Sequence, residues 1–149
     1  MLPDGSGFTV VLMAENLVRR TGESLWSSAD LARLEAAREL EIAVRRADDT
    51  LRRAVPVWVV CAGSHVYVRT WYRRDTGWFG QALRTRRARI GVEGWEADVV
   101  IEDVGLEHRA AVDAAYRSKY SRSGGGSVGD MVNASAAATT LRLAPAPRA

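Results

Sequence analysis

Polar and apolar residues alternate along several short stretches of the chain, which is the pattern of half-buried β-strands. This alternation predicts a strand over 39–46. A second strand is predicted over 51–62, where Pro56 lacks a ladder donor and so favours an edge, a bulge or a place where the backbone faces a ligand. Further strands are predicted over 66–70, 87–92, 95–104 and 139–143, with hairpin turns at 62–65 and 93–94.

Helical spacing of apolar residues predicts three helices. The first covers about 28–38 and begins at a capping pattern, because Asp30 follows Ser27 by three residues. A short second helix is predicted over 77–83. The third helix, over 106–120, has the strongest periodicity of the chain.

The order of these elements predicts an α+β fold that is mainly β. Short hairpin links require antiparallel pairing, and an antiparallel sheet buries its apolar face by closing into a barrel or under helices. We therefore expect a six-stranded antiparallel β-barrel with two to three flanking helices. The barrel is expected to form a single domain over 25–145, between an N-terminal extension over 1–24 that has no consistent period and a tail over 146–149.

The composition is that of an ordinary soluble globular protein. Of the 149 residues, 47% are hydrophobic and 26% are charged, and no apolar run approaches the ~18 residues that span a bilayer. The first apolar stretch has no basic residue before it, which is the wrong order for a secretory signal, so we expect a cytoplasmic protein. Cys61 is the only cysteine and lies in an apolar run, which predicts a buried core residue. The two histidines lack metal-ligand spacing, so no metal site is expected.

Arginine dominates the basic residues, and Lys119 is the only lysine. The net charge is only +3 and acidic residues are spread through the chain, so a nucleic-acid partner is not expected. Five aromatic residues and three arginines nevertheless fall within residues 67–79. This clustering suits a core seam or the wall of a site for a flat, anionic small molecule.

Three motifs resemble the FMN-binding split-barrel superfamily, which includes pyridoxamine-phosphate-oxidase-like proteins and deazaflavin-dependent nitroreductases. An Arg-x-x-Pro motif occupies 53–56, a Tyr-Val-rich strand occupies 66–69, and an aromatic motif that begins with Trp and ends with Leu occupies 78–83. These motifs are similar to the deazaflavin-dependent branch. The resemblance implies a split β-barrel, and a homodimer with its cofactor site at the dimer interface.

The sequence also resembles a small, uncharacterised bacterial family of the same shape. The features that carry this likeness are LEIA at 40–43, YVRT at 67–70 and GWF at 77–79. This likeness implies the fold but not a reaction, since the superfamily includes oxidoreductases, haem binders and proteins of unknown role.

The same regions contain the groups that an FMN- or deazaflavin-like cofactor requires. Arginine binds phosphate oxygens in pairs, aromatic rings wall a flat ring system, and polar groups meet the ring edge. The predicted cofactor-binding residues are Arg45, Arg46, Arg53, Arg69, Thr70, Trp71, Trp78 and Phe79. No catalytic residue is assigned, because the hydride chemistry would belong to the cofactor.

The turn at 45–50 departs from the deazaflavin pattern. It keeps arginines but lacks the glycines and the serine of that phosphate loop, and it contains Asp48 and Asp49. The departure weakens the expectation of a phosphate cradle of the same form.

Several candidate residues have structural alternatives. Arg69 shares a strand face with Tyr67 and is either a ligand-binding residue or part of a salt bridge with an acid such as Glu41. Trp78 and Phe79 are either a ligand wall or core residues. The predicted function is therefore a flavin- or deazaflavin-dependent oxidoreductase for a small organic substrate. The alternative is a cofactor-free ligand-binding or cyclase-like protein of secondary metabolism.

Overall fold

The computed structural model describes residues 26–70, 77–120 and 128–147. In these ranges the helices are α1 (Ser28–Ala36), α2 (Trp78–Thr85), α3 (Arg109–Tyr120), α4 (Val128–Val132) and α5 (Ala134–Ala137). The strands are β1 (Leu40–Val44), β2 (Val55–Val57), β3 (Val59–Ala62), β4 (His65–Val68), β5 (Arg87–Val92), β6 (Trp95–Asp103) and β7 (Leu141–Pro145). No helix within the described ranges is long and apolar enough to cross a membrane.

The strands form one antiparallel sheet in the order β2-β1-β5-β6-β7-β4-β3. The two edge strands, β2 and β3, follow each other in the chain, and only Trp58 lies between them. Since one extended residue spans at most ~3.6 Å, the two edges of the sheet must approach each other. The sheet is therefore curled into a nearly closed barrel, which confirms the predicted α+β, mainly β, fold class.

The region predicted as one strand over 51–62 folds as two short strands, so the described barrel has seven strands rather than six. Leu51 forms only an isolated bridge with Arg45, and β2 begins at Val55. Pro56 lies in this edge strand, opposite Glu41, where its missing N–H interrupts no interior ladder. The bend at Trp58 then carries the chain from one edge of the sheet to the other.

Two hydrophobic cores lie on opposite sides of the sheet. The inner core fills the barrel with alternate residues of the strands, such as Ile42, Ile90 and Val68. The outer core lies between the outer face of β3 and β4 and the helix α3, and it contains Tyr67 and Tyr116. The predicted alternation in β4 is thus confirmed, since its valines face inward and its tyrosine faces outward.

The carboxyl end of α3 ties α1 and β3 together. Lys119 Nζ donates to the carbonyl oxygens of Leu34 (3.3 Å) and Val59 (2.8 Å). The Tyr120 hydroxyl accepts the Val59 N–H (3.1 Å) and lies 2.7 Å from the Arg38 carbonyl oxygen. These contacts fix the first residue of the edge strand β3, directly after the chain has passed from one edge of the sheet to the other.

The first helix, α1, begins at the predicted capping residue. Ser27 caps α1 by accepting the Asp30 N–H at 3.0 Å, as the sequence predicted. The helices α4 and α5 were not predicted. The expected extension over 1–24 lies outside the described residues. In the expected tail, Ala146 donates its N–H to the Asp98 carbonyl at 2.9 Å and so continues the sheet.

Candidate functional site

A cavity of about 320 Å³ lies between the β1–β2 turn and the first turn of α2. Its lining brings together three of the predicted cofactor-binding residues, Arg46, Arg53 and Trp78. The other lining residues are Val44, Arg52, Val55, Gly77 and Gln81. We call this cavity the arginine pocket.

Among the residues that the structure describes, the lining of the arginine pocket contains three guanidinium groups and no carboxylate. Arg46 is held by its own turn, because its Nη1 donates to Thr50 Oγ1 (3.2 Å) and to a backbone carbonyl of the turn (2.9 Å). Arg52 is fixed by its backbone N–H bond to the Val44 carbonyl (2.9 Å), and its buried Nε has no hydrogen-bond partner in the described part of the chain. Arg53 is exposed and forms no ion pair with any described residue. The pocket is therefore electropositive.

The two acids of the β1–β2 turn do not line the arginine pocket. Asp48 accepts the hydroxyl and the N–H of Thr50 (2.7 and 3.0 Å), and these hydrogen bonds, aided by the charge of Arg46, lower the pKa of the Asp48 carboxyl. Asp49 pairs with Arg87, and both residues line a different cavity. The two acids of this turn thus brace the turn or pair outside the pocket, and neither neutralises the pocket arginines from within the lining.

The amino terminus of α2 adjoins the same pocket. Gly77 is the N-cap residue and provides no side chain to accept the free N–H groups of the first turn. The partial positive charge of a helix amino terminus therefore adds to the field of the arginines. Trp78 is partly buried and packs edge-on against Phe79, with ring centroids 6.0 Å apart. The pocket thus offers an anion site beside an indole wall.

Arg45 does not reach the arginine pocket, although the sequence grouped it with Arg46. Neighbouring residues in extended chain point to opposite faces, so only one of the two can face the cavity. Arg45 Nη2 lies 3.0 Å from Asp98 Oδ1, and Arg89 Nε lies 3.0 Å from the same oxygen. Hydrogen bonds from Arg89 and then from Arg45 lower the pKa of the Asp98 carboxyl. Arg45 therefore belongs to an ion-pair network on the outer face.

Arg69 lies beneath α3 and is only 1% exposed. Its Nη1 lies 2.6 Å from Asp113 Oδ1 and 2.7 Å from the Met131 carbonyl oxygen, and its Nε donates to Thr140 Oγ1 at 2.8 Å. The strand face that carries Arg69 is the face that α3 covers. Arg69 therefore forms a buried salt bridge in the folded chain, and its partner is Asp113 rather than Glu41.

Two other predicted residues are also held by the protein itself. The Thr70 N–H donates to Thr139 Oγ1 at 3.0 Å, and Thr70 is 5% exposed. Phe79 is 7% exposed and belongs to the inner core. Trp71 lies outside the described residues. Three of the eight predicted residues therefore meet in the arginine pocket.

Residues 30–143 match the family DUF2255, whose description is "Uncharacterized protein conserved in bacteria". The chain belongs to the DUF2255 family. The matched region runs from α1 into β7 and includes every residue of the arginine pocket. No curated protein matches the sequence of this DUF2255 protein.

Three solved structures share the fold of this DUF2255 protein at low identity. A conserved hypothetical protein from Mycobacterium tuberculosis is 13% identical with a TM-score of 0.56, over 86% of this chain and 84% of its own. A FAD-binding protein from Mesorhizobium loti is 14% identical with a TM-score of 0.51, over 82% of this chain and 91% of its own. A putative 5-nitroimidazole antibiotic resistance protein from Bacteroides thetaiotaomicron is 10% identical with a TM-score of 0.51, over 83% of this chain and 82% of its own. These likenesses establish the fold, which agrees with the split-barrel resemblance.

Two polar residues that line the arginine pocket, Arg52 and Gln81, were not predicted from the sequence. Arg52 was overlooked although it forms an arginine pair with Arg53. Gln81 follows Trp78 by three residues, which places both on one face of α2. The pairing and the helical spacing are the signals that point to these two positions.

Two other cavities of the DUF2255 protein are less suited to an anion. One, of about 830 Å³, is lined by arginines that are already paired with acids, as in the pairs of Arg45 with Asp98 and Arg87 with Asp49. The other, of about 770 Å³, is lined by four glutamates, Glu39, Glu41, Glu93 and Glu96. The arginine pocket is therefore the better candidate.

Cys61 is not suited to act as a nucleophile. Burial, with a smaller contribution from the negative charge of Glu35, raises the pKa of its thiol to about 11. The thiolate is the reactive form, so Cys61 is inert near neutral pH. Among the described residues there is also no group of three or more His, Cys, Asp and Glu side chains that could hold a metal ion.

Proposed function

We propose that this DUF2255 protein binds a flavin or deazaflavin cofactor in the arginine pocket and acts as an oxidoreductase on a small organic substrate. The observation that carries the proposal is the pocket itself, in which three guanidinium groups lie beside an indole and no acid of the described ranges joins the lining. A flavin-type cofactor has a matching shape, with an anionic end and a flat, largely apolar ring. Two structural neighbours, a FAD-binding protein and a putative 5-nitroimidazole antibiotic resistance protein, support the same class.

The residues of this chain would bind and orient the cofactor. Arg46 and Arg53 would hold its phosphate, because guanidinium groups bind phosphate oxygens in pairs. Trp78 would form one wall for the ring, and the carboxamide of Gln81 would be a donor and acceptor for a polar edge. When bound, the cofactor would supply hydride transfer, so the protein needs no nucleophile or metal of its own.

We also propose that the protein works as a homodimer in the cytoplasm. At about 320 Å³ the arginine pocket is at the lower end of the range for small-molecule sites. A second copy would enlarge the site by covering its open side. Light scattering of the purified protein tests the dimer, and a monomeric mass in the presence of a saturating cofactor would contradict it.

Binding experiments on the full chain test the proposed function. The purified protein is examined for visible flavin absorbance and then titrated with FMN, FAD and a deazaflavin cofactor while cofactor fluorescence is recorded. We expect saturable binding of at least one of these. After the bound cofactor has been reduced with dithionite, a nitroaromatic probe should reoxidise it. Binding of none of the three at high micromolar concentration would overturn the proposal.

A second candidate is supported by the small volume of the pocket, whose described lining contributes one indole, that of Trp78. These features also suit a small organic anion that binds without any cofactor, as in a carrier or a cyclase-like protein. The same titrations separate the two candidates, because this second function predicts binding of small aromatic phosphates or carboxylates without any affinity for flavins.

A further inference from the structure

An open face of the sheet contains a cavity of about 770 Å³ that the proposed function does not use. Its lining contains Trp95 and four exposed acids, Glu39, Glu41, Glu93 and Glu96, and none of the described basic residues joins them. None of the four acids forms an ion pair with a described residue. We call this cavity the glutamate cavity. Because four like charges around one cavity repel each other, a cationic partner would be stabilised there.

The strand register explains why two of these acids face one gap. Glu41 in β1 is paired with Gly91 in β5, and Gly91 is paired with Glu96 in β6. The three residues form one row across the outer face of the sheet, and the glycine places no side chain between the two carboxylates. In the next row Arg89 is already bonded to Asp98 at 3.0 Å. The cation that balances this row must therefore come from another part of the chain or from a partner.

The described chain begins beside the glutamate cavity. Trp26 is the first described residue, and its ring centroid lies 6.1 Å from that of Trp95. The indole Nε1 of Trp26 donates to the Leu143 carbonyl at 2.9 Å, which fixes this position on the barrel. Trp26 also lines the cavity of about 830 Å³, which shares Trp95 and Glu96 with the glutamate cavity. Residues 1–25 are therefore joined to the barrel at the rim of the glutamate cavity.

The amino-terminal segment 1–25 contains two basic residues, and they are adjacent, at Arg19 and Arg20. Trp26 follows Arg20 by six positions, and six extended residues span roughly 20 Å. The pair can therefore reach the carboxylates beyond Trp95. A tethered group is present at an effective concentration of roughly millimolar. Exposed ion pairs that are too weak to hold a separate partner can therefore hold this segment.

We propose that Arg19 and Arg20 dock in the glutamate cavity of the same chain, so that the amino-terminal segment forms a strap over the outer face of β1, β5 and β6. The guanidinium groups pair with carboxylates of the cavity, and their methylene stems lie against Trp95. This surface is separate from the arginine pocket, and the inference does not depend on the proposed function.

A zero-length cross-link on the full chain tests the contact. The wild type has one lysine, Lys119, so Arg20→Lys adds a single side-chain amine to the segment. A carbodiimide joins an amine to a carboxylate only when the two groups touch, and mass spectrometry of the digest identifies the pair. We expect the added amine to be linked to Glu41, Glu93 or Glu96. The control is Arg84→Lys, because Arg84 is exposed in α2 and does not line the glutamate cavity.

Trypsin cleavage after Arg19 and Arg20 measures how strongly the segment is held. Glu41→Gln/Glu96→Gln removes both carboxylates of the row, and loss of two exposed ion pairs predicts cleavage about 3- to 30-fold faster at low salt. High salt should speed cleavage of the wild type in the same way. Glu107→Gln/Asp130→Asn neutralises two exposed acids outside the cavity and should leave the rate unchanged. Thermal unfolding verifies that each variant is folded.

Three outcomes would overturn the strap. One is the absence of links from the Arg20→Lys amine to the cavity glutamates. Another is a cleavage rate that responds neither to salt nor to Glu41→Gln/Glu96→Gln. The third is linkage between isotopically labelled and unlabelled chains in a mixture, which would assign the cavity to a second copy. Flavin binding enters none of these measurements, so each outcome leaves the proposed function to its own titrations.

Discussion

Arginine side chains occupy two opposite environments in this protein. In the arginine pocket, three guanidinium groups line one cavity, and none of the described carboxylates lines it with them. Beneath α3, Arg69 and Arg109 share the carboxylate of Asp113, at 2.6 Å and 3.2 Å. Because a buried charge is stable only when it is paired and hydrogen-bonded, the second group belongs to the fold. The first group leaves its charge available to a ligand.

The paired group links four elements of the fold. Arg69 donates to the Met131 carbonyl in α4 and to Thr140 beside β7, while Asp113 holds it from α3. Arg109 donates to the Val132 carbonyl at 3.2 Å, so two arginines cap the end of α4. One donor of Arg69, Nη2, has no partner within the described ranges. Even so, the side chain is closed off from the pocket and from water.

The largest expected effect comes from breaking the buried pair. Asp113→Ala would leave Arg69 buried without its counter-charge, which should lower the free energy of unfolding by about 3–5 kcal/mol. Chemical denaturation measures this change. Asp98→Ala is a matched control, because Asp98 also bridges two arginines, Arg45 and Arg89, but its side chain is 47% exposed.

We expect Asp98→Ala to cost about 1 kcal/mol or less, since exposed ion pairs are screened by water and salt. Similar costs for the two aspartate variants would show that burial does not distinguish the two networks. Burial would then give no energetic reason to separate the arginines that stabilise the fold from those that are available to a ligand.

Phe79 and Trp78 are neighbours in α2, but only Trp78 lines the arginine pocket. Phe79 is 7% exposed in the inner core, so Phe79→Ala should cost about 3–5 kcal/mol of stability. Trp78 lines the pocket and is only partly buried, so Trp78→Ala should cost less stability, about 2 kcal/mol. Cofactor titrations of folded variants should show weaker binding only for Trp78→Ala. The reverse pattern would mean that Phe79, not Trp78, faces the ligand.

Much of the fold was predictable because alternation and capping are local signals. The strands at 39–46, 87–92 and 95–104 and the Ser27 cap appear close to their predicted positions. The split of 51–62 at Trp58 was not predictable, because barrel closure, a tertiary effect, decides where the chain bends. The helices α4 and α5 have five and four residues, which is too short for a periodic pattern.

The sequence predicted which types of residue the site contains, but not which individual residues form it. Alternation correctly placed Arg69 on the strand face opposite the valines of β4. It could not show that α3 covers this face and supplies Asp113 from 44 residues further along the chain. Arg45 and Arg46 are adjacent in sequence, yet they separate into an outer ion-pair network and the pocket. Which arginine remains unpaired depends on contacts between distant segments.

The smallest expected effect concerns the stability contribution of an unpaired pocket arginine. Arg53 is exposed and forms no ion pair with a described residue, so Arg53→Ala should change the free energy of unfolding by about 0.5 kcal/mol or less. At low ionic strength the change should be towards greater stability, because the variant relieves repulsion from Arg46 and Arg52. High salt should remove this gain, since it screens the same repulsion. Denaturation curves at two salt concentrations measure the effect, and a salt-independent loss above about 1.5 kcal/mol would assign Arg53 to the fold.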